Sequence, residues 1–183
     1  MKKSDEELFD IYRSGEMEAF EELVGRYRRP LFTVVMRMIG DRQESEDIFQ
    51  ETFCRVIKNK GRFDSDRSFS SWVFSIASNL AKDRLRRRNR DPVRTEAEPP
   101  EGASGEDPES KTMNKEIKKA VDTALDKLSP EQKEVFLLRE YGGLSFKEIA
   151  NMKKTNLNTV LGRMHLAMKK MKQELSWLAE DGK

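Results

Sequence analysis

The chain has 183 residues, with 35 Lys and Arg against 33 Asp and Glu, a formal net charge of +2. That length allows one domain or two small ones. An apolar share of 36% against a charged share of 37% leaves only a thin core, which suits small helical units with charged outer faces. One cysteine, Cys54, excludes an internal disulfide framework and any multi-cysteine metal site. Its place in an apolar-periodic stretch predicts a buried thiol. No apolar run approaches the roughly 20 residues that span a bilayer. Met1 to Glu7 lacks the apolar stretch of a signal peptide, so the expectation is a soluble, cytoplasmic protein without membrane insertion.

In chain order, Ser4-x-x-Glu7 forms a capping box that opens a short helix through Leu8, Ile11 and Tyr12, ending at Gly15. Met17, Phe20, Leu23, Val24 and Tyr27 follow at helical spacing, and Pro30 is expected to break or kink what comes next. Leu31, Val34, Val35 and Met38 make a further series that closes at Gly40. Gln43 to Lys58 places Ile48, Phe49, Thr52, Phe53, Val56 and Ile57 on one face. No stretch alternates with period two, which argues against strands.

The helix from Phe69 to Arg90 carries two stripes. Phe69, Val73, Ile76 and Leu80 cluster within about 60° as a core stripe. Beside them lie Trp72, Ser75, Asn79, Lys82 and Arg86, leading into a stretch, residues 82–94, with seven bases and two acids. An aromatic platform beside a basic track suits single-stranded or melted nucleic acid, whose bases stack while Lys and Arg follow the backbone. Equally, Trp72 can extend the core while the arginines solvate a helix end.

Four prolines and two glycines fall between residues 91 and 110, and residues 95–110 hold six acids and no base. Such a stretch cannot bury enough surface to order itself and reads as a flexible acidic linker. The net charge therefore resolves into +3 for residues 1–94, −6 for the linker and +5 for residues 111–183. The division expected is a first domain over 1–91, a linker over 92–112 and a second domain over 113–183.

In the second domain, Ser129-Pro130-Glu131-Gln132 supplies an N-cap, a first-turn proline and a capping-box Gln. The helix runs through Val135, Phe136, Leu138 and Arg139 to Tyr141, where Gly142-Gly143 ends it. Ser145-Phe146-Lys147-Glu148 opens a short helix with Ile149, Ala150 and Met152. Asn156 or Asn158 then caps a third, with Val160, Met164, Ala167, Met168 and Met171 inward. Short helix, tight turn and longer helix match a helix-turn-helix, whose last helix enters the major groove. Residues 149–173 hold six bases and no acid, as phosphate proximity favours.

Together these segments resemble the bacterial RNA polymerase sigma factors of the sigma-70 family, in particular the extracytoplasmic-function group. The resemblance rests on Asp47-Ile48-Phe49-Gln50-Glu51, on Arg62-Phe63-Asp64 with Phe69 to Arg86, and on Leu128 to Gln132 with Gly143 to Ala150 and Thr159-Val160. It implies an all-α protein of two helical domains, the second holding the helix-turn-helix. By resemblance, Asp47, Gln50 and Glu51 dock on core RNA polymerase. Arg62, Phe63, Asp64 and Ser68 border a loop that captures a flipped promoter base, at a cost of a few kcal/mol. Trp72, Ser75, Asn79, Lys82 and Arg86 line the melted strand, and Asn158, Thr159 and Arg163 read duplex DNA, with Lys153, Lys154, Lys169 and Lys170 adding nonspecific attraction. The partners implied are core RNA polymerase, single-stranded and duplex promoter elements, and an anti-sigma factor. The acidic linker would run near the RNA exit path and yield to nascent RNA.

This sequence departs from the group at Leu161, Gly162 and Leu166, where polar or basic contacts are expected, and at Lys154, where a turn glycine is usual. His165, the only histidine, reads as helix surface. No phosphate loop, metal set or nucleophile elbow is present, so the chain is expected to be no enzyme and to need no cofactor. The rival readings are a two-domain helix-turn-helix regulator that never meets polymerase, and an RNA-binding adaptor.

Overall fold

The computed structural model describes residues 3–64, 68–90 and 108–179, with side chains of the last stretch from residue 115 to 178. Eight α-helices account for most of these residues, and no strand occurs among them. In the first half, α1 spans Asp5–Arg13, α2 Met17–Ile39, α3 Arg42–Lys58 and α4 Phe69–Arg90. In the second, α5 spans Pro108–Asp126, α6 Pro130–Glu140, α7 Phe146–Lys153 and α8 Leu157–Glu174. Short 3₁₀ turns cover Lys60–Arg62 and Ser176–Ala179.

Local chemistry sets the helix ends. The capping boxes at Ser4, Ser129 and Ser145 all form, with the hydroxyl accepting from the third helical N–H and the Glu or Gln side chain answering the cap N–H. Asp41 caps α3 and Asn156 caps α8. Gly40 closes α2 at φ 75°, a left-handed conformation that glycine adopts without a Cβ penalty.

Several sequence expectations are corrected. Pro30 does not break α2, which runs unbroken through it. Leu23, Tyr27, Leu31, Val34 and Val35 are buried on both sides of the proline, so packing along the whole helix outweighs the lost hydrogen bond. Met17 is exposed, as are Ile57 and Met168. On α8 the buried line is Val160, Met164, Ala167 and Met171, and Met168 lies about 80° off it. Cys54 is exposed, because Phe53 and Val56 take the core positions of that turn. Pro108, a residue suited to a first helical turn, opens α5 inside the stretch read as linker, while residues 91–107 lie outside the described residues.

The two halves share one apolar cluster. Within the first, Phe9, Phe63, Phe69 and Trp72 meet with ring centroids 4.9 to 6.0 Å apart. Asp5 ties α1 to α2, pairing with Arg26 at 2.5 Å and accepting from the Tyr27 hydroxyl, whose pKa burial and that carboxylate both raise. Glu6 accepts from the Phe69 N–H at 2.9 Å, so α1 caps the start of α4. Within the second half, α8 packs on α6 and α7.

The halves meet where α6 packs on α2 and α7 on α4. Gly142 sits in that contact. A Cβ there would lie 2.6 Å from the Leu138 carbonyl oxygen and 3.2 Å from the Phe74 ring of α4. Only glycine lets the turn approach so closely.

Candidate nucleic-acid and polymerase interface

On α3, Asp47 and Gln50 are exposed and Glu51 half-buried, spaced so that all three share one face. Gln43 donates to Asp47 at 3.4 Å, and Arg55 pairs with Glu51 at 2.8 Å. That hydrogen bond from Arg55 holds the Glu51 carboxyl below its ordinary value. The face is acidic, ordered and open.

The loop entering α4 begins beside it. Arg62 and Asp64 are exposed, and residues 65–67 lie outside the described residues. Phe63 is buried at 6% exposure, its ring 4.9 Å from that of Trp72 and 5.0 Å from that of Phe9. It therefore anchors the loop and offers no open ring to a base. Ser68 caps α4, its hydroxyl accepting from the Ser71 N–H at 3.2 Å.

On α4 the core line is Phe69, Val73, Phe74, Ala77 and Ala81, with Ile76 and Leu80 only partly buried. The core stripe is thus rotated from the one expected. Trp72 joins the aromatic cluster and is partly buried, which extends the core along this face of α4. The arginine run divides its roles. Arg88 donates to the Ile39 carbonyl at 3.0 Å and Arg84 lies 3.8 Å from Glu44, while Arg86, Arg87 and Arg90 remain exposed.

Ser75, Asn79 and Lys82 are brought together, though against the second half. With Ser78 they line a cavity of about 140 Å³ whose opposite wall is Glu134, Met152 and Lys153. The Ser78 hydroxyl, buried there, has no hydrogen-bond partner among the described residues. Lys82 Nζ lies 2.8 Å from Glu134 Oε1, and Lys153 Nζ donates to Glu134 Oε2. Burial lowers the Lys153 pKa against the opposing pull of Glu134. Lys153 is therefore engaged inside the protein and does not stand free for DNA in this arrangement. Sequence reasoning missed Glu134, whose place between Lys133 and Val135 gave no sign of its pairing.

On α8, Asn158 and Thr159 are exposed and Arg163 half-buried. Leu161 and Leu166 are exposed at 41% and 51%, and Gly162 has open space where a side chain would stand. His165 is exposed. Lys154 turns α7 toward α8 at φ 48°, the one non-glycine residue with positive φ among the described residues.

Two family models match this arrangement, sigma-70 region 2 over residues 23–91 and sigma-70 region 4 over residues 118–171. A curated relative, the extracytoplasmic-function RNA polymerase sigma factor SigW of Bacillus subtilis, is 30% identical over 172 residues, covering 89% of this chain and 92% of its own. The chain belongs to the extracytoplasmic-function sigma factors of the sigma-70 family. RNA polymerase sigma-H factor of Pseudomonas aeruginosa is 29% identical across 98% of both chains. Among solved structures, CnrH in complex with the cytosolic domain of CnrY matches with a TM-score of 0.72 at 25% identity, covering 99% of this sigma factor and 100% of that chain. The sigma factor RpoE bound to the anti-sigma factor NepR, from Bartonella quintana, shares the fold at a TM-score of 0.69 and 21% identity, over 86% and 96% of the two chains. An all-α sigma factor that directs RNA polymerase to promoters is thus the function of this chain, and an unattached regulator is not favoured.

Proposed function

We propose a division of labour among the faces of this sigma factor. The α3 face of Asp47, Gln50 and Glu51 docks on core RNA polymerase. Arg62, Asp64 and Ser68 border the pocket for a flipped base, and Trp72, Ser75, Asn79, Lys82 and Arg86 follow the melted strand, with stacking and phosphate contacts dividing the work. Asn158, Thr159 and Arg163, at the start of α8, read base edges in the upstream duplex. The first domain comprises residues 1–91 and the second residues 113–183, joined by the acidic segment between them. The chain supplies recognition and melting and catalyses nothing itself; it needs no cofactor and acts in the cytoplasm beside polymerase.

The observation that carries this reading is the order of the two family matches along one chain, each on its own group of helices, with an aromatic and cationic track on α4 inside the first. The RpoE structure holds that protein with the anti-sigma factor NepR, and we extend a partner of this kind to the present chain. Purified protein, core polymerase and a promoter library in run-off transcription test the reading. Promoter-dependent transcripts support it. Duplex binding with no effect on core polymerase would favour the regulator instead, and tight binding to RNA of unrelated sequence the adaptor.

A further inference from the structure

Two carboxylates of the second half rest on the α4 strand track. Glu134 of α6, 4% exposed, holds Lys82 and Lys153, one cation from each of the two nucleic-acid-binding halves. Glu148 of α7 accepts from the Ser71 hydroxyl of α4 at 3.3 Å. A buried carboxylate is tolerated only when paired. The pairing at Glu134 is incomplete in one respect: Lys82 lies close to Oε1 without hydrogen-bond alignment, and the adjoining cavity leaves room beside it.

We propose that Glu134 is an internal stand-in for nucleic-acid phosphate. Its carboxylate occupies the anionic place between Lys82 and Lys153, so that the promoter strand and the second half compete for one face of α4. The inference rests on α4 being the strand-binding element and adds the identity of its competitor. Because an acidic group is exchanged for a phosphate, neither lysine is left unpaired when the halves part over DNA. The free protein therefore stays closed, and its affinity for melted strand is reduced by the fraction of molecules that are open.

The test uses the full chain without polymerase. Cys54, exposed on α3, takes one fluorophore, and Gln173→Cys on α8 takes its partner. Energy transfer and binding of a single-stranded oligonucleotide carrying the melted promoter element are then measured in the same protein. Glu134→Gln should lower energy transfer and raise oligonucleotide affinity by about tenfold, since it leaves two ammonium groups facing each other without their carboxylate. Glu140→Gln, which removes an exposed charge from the same helix, should do neither. Glu148→Gln, on the neighbouring helix, should move both signals in the direction of Glu134→Gln and serves as the second variant if that one does not fold. Unchanged energy transfer and affinity in both Glu134→Gln and Glu148→Gln would overturn the proposal, as would an equal response from Glu140→Gln. Failure of the underlying functional reading would appear separately, as a wild-type protein that programs no promoter-dependent transcription with core polymerase.

Discussion

The Arg37 guanidinium of α2 lies 4.4 Å above the Tyr141 ring at the end of α6, and the same group pairs with Asp122 of α5 at 3.0 Å. One side chain of the first half therefore grips two helices of the second. A partly desolvated cation–π contact is worth about 1–2 kcal/mol, and a pair with a half-exposed carboxylate less than about 1 kcal/mol. Arg37→Ala should loosen the closed arrangement by about 1–2 kcal/mol, read as faster amide exchange in α5 and α6 with α1 to α3 unchanged. Arg37→Lys, which keeps charge but not the planar stack, should recover only part of the loss.

Lys154 is a site for stabilisation. A left-handed conformation costs a Cβ-bearing residue about 1–2 kcal/mol, against a smaller entropic penalty for glycine in the unfolded chain. Lys154→Gly should raise the unfolding free energy by roughly 1 kcal/mol in urea titration. It should also remove one cation from the helix-turn-helix, so duplex affinity falls modestly as stability rises.

Glu148 makes the closed arrangement sensitive to acid. Burial pushes its carboxyl up, but hydrogen bonds from Ser68, from Ser145 and from Ser71 outweigh that and hold it below the ordinary 4.5. A carboxylate depressed on folding contributes stability that is fully present above 4.5 and is lost as the pH falls through its lower folded value. Wild-type stability should therefore decline across that window on acidification. Glu148→Gln, which retains the cap geometry but no titrating group, should start lower at neutral pH and show a shallower decline. Parallel acid limbs in the two proteins would contradict this assignment.

Recognition by α8 should depend on few side chains. Arg163→Ala is expected to relax discrimination at one base pair by about 1–3 kcal/mol if its guanidinium is bidentate to guanine, and equal loss on scrambled duplex would make it a phosphate contact. Leu161 stands exposed near the start of α8, so Leu161→Lys should strengthen binding to any duplex. The slope of log affinity against log salt should steepen by about one phosphate contact.

The helix order, three capping boxes and the helix-turn-helix were legible because each rests on local chemistry: a serine cap, a Glu or Gln three residues on, a glycine at the end. Burial was less legible wherever a second element decides it. Ile76 and Leu80 share a helical stripe with Phe69, yet Phe74 and Ala81 take the deeper places because α4 is covered on more than one side. Cys54 and Met168 fell on faces that periodicity places near the core but that no neighbour covers. Glu134 illustrates the limit most sharply. Its partners, Lys82 and Lys153, lie on two other helices, and no spacing within the chain announces them.

The cap that Glu6 places on Phe69, together with the seat of Phe9 against Phe63 and Trp72, has a practical bearing on how the first domain can be handled. The region 2 match begins at residue 23, well after α1 has ended. A fragment trimmed to that boundary would leave the Phe69 N–H without its Glu6 partner, with Ser68 alone capping α4, and would bare three aromatic rings to water. It would be expected to aggregate and to hold the segment entering α4 poorly. The first thirteen residues are thus part of the smallest unit of this sigma factor that can be cut out and still present a shaped loop.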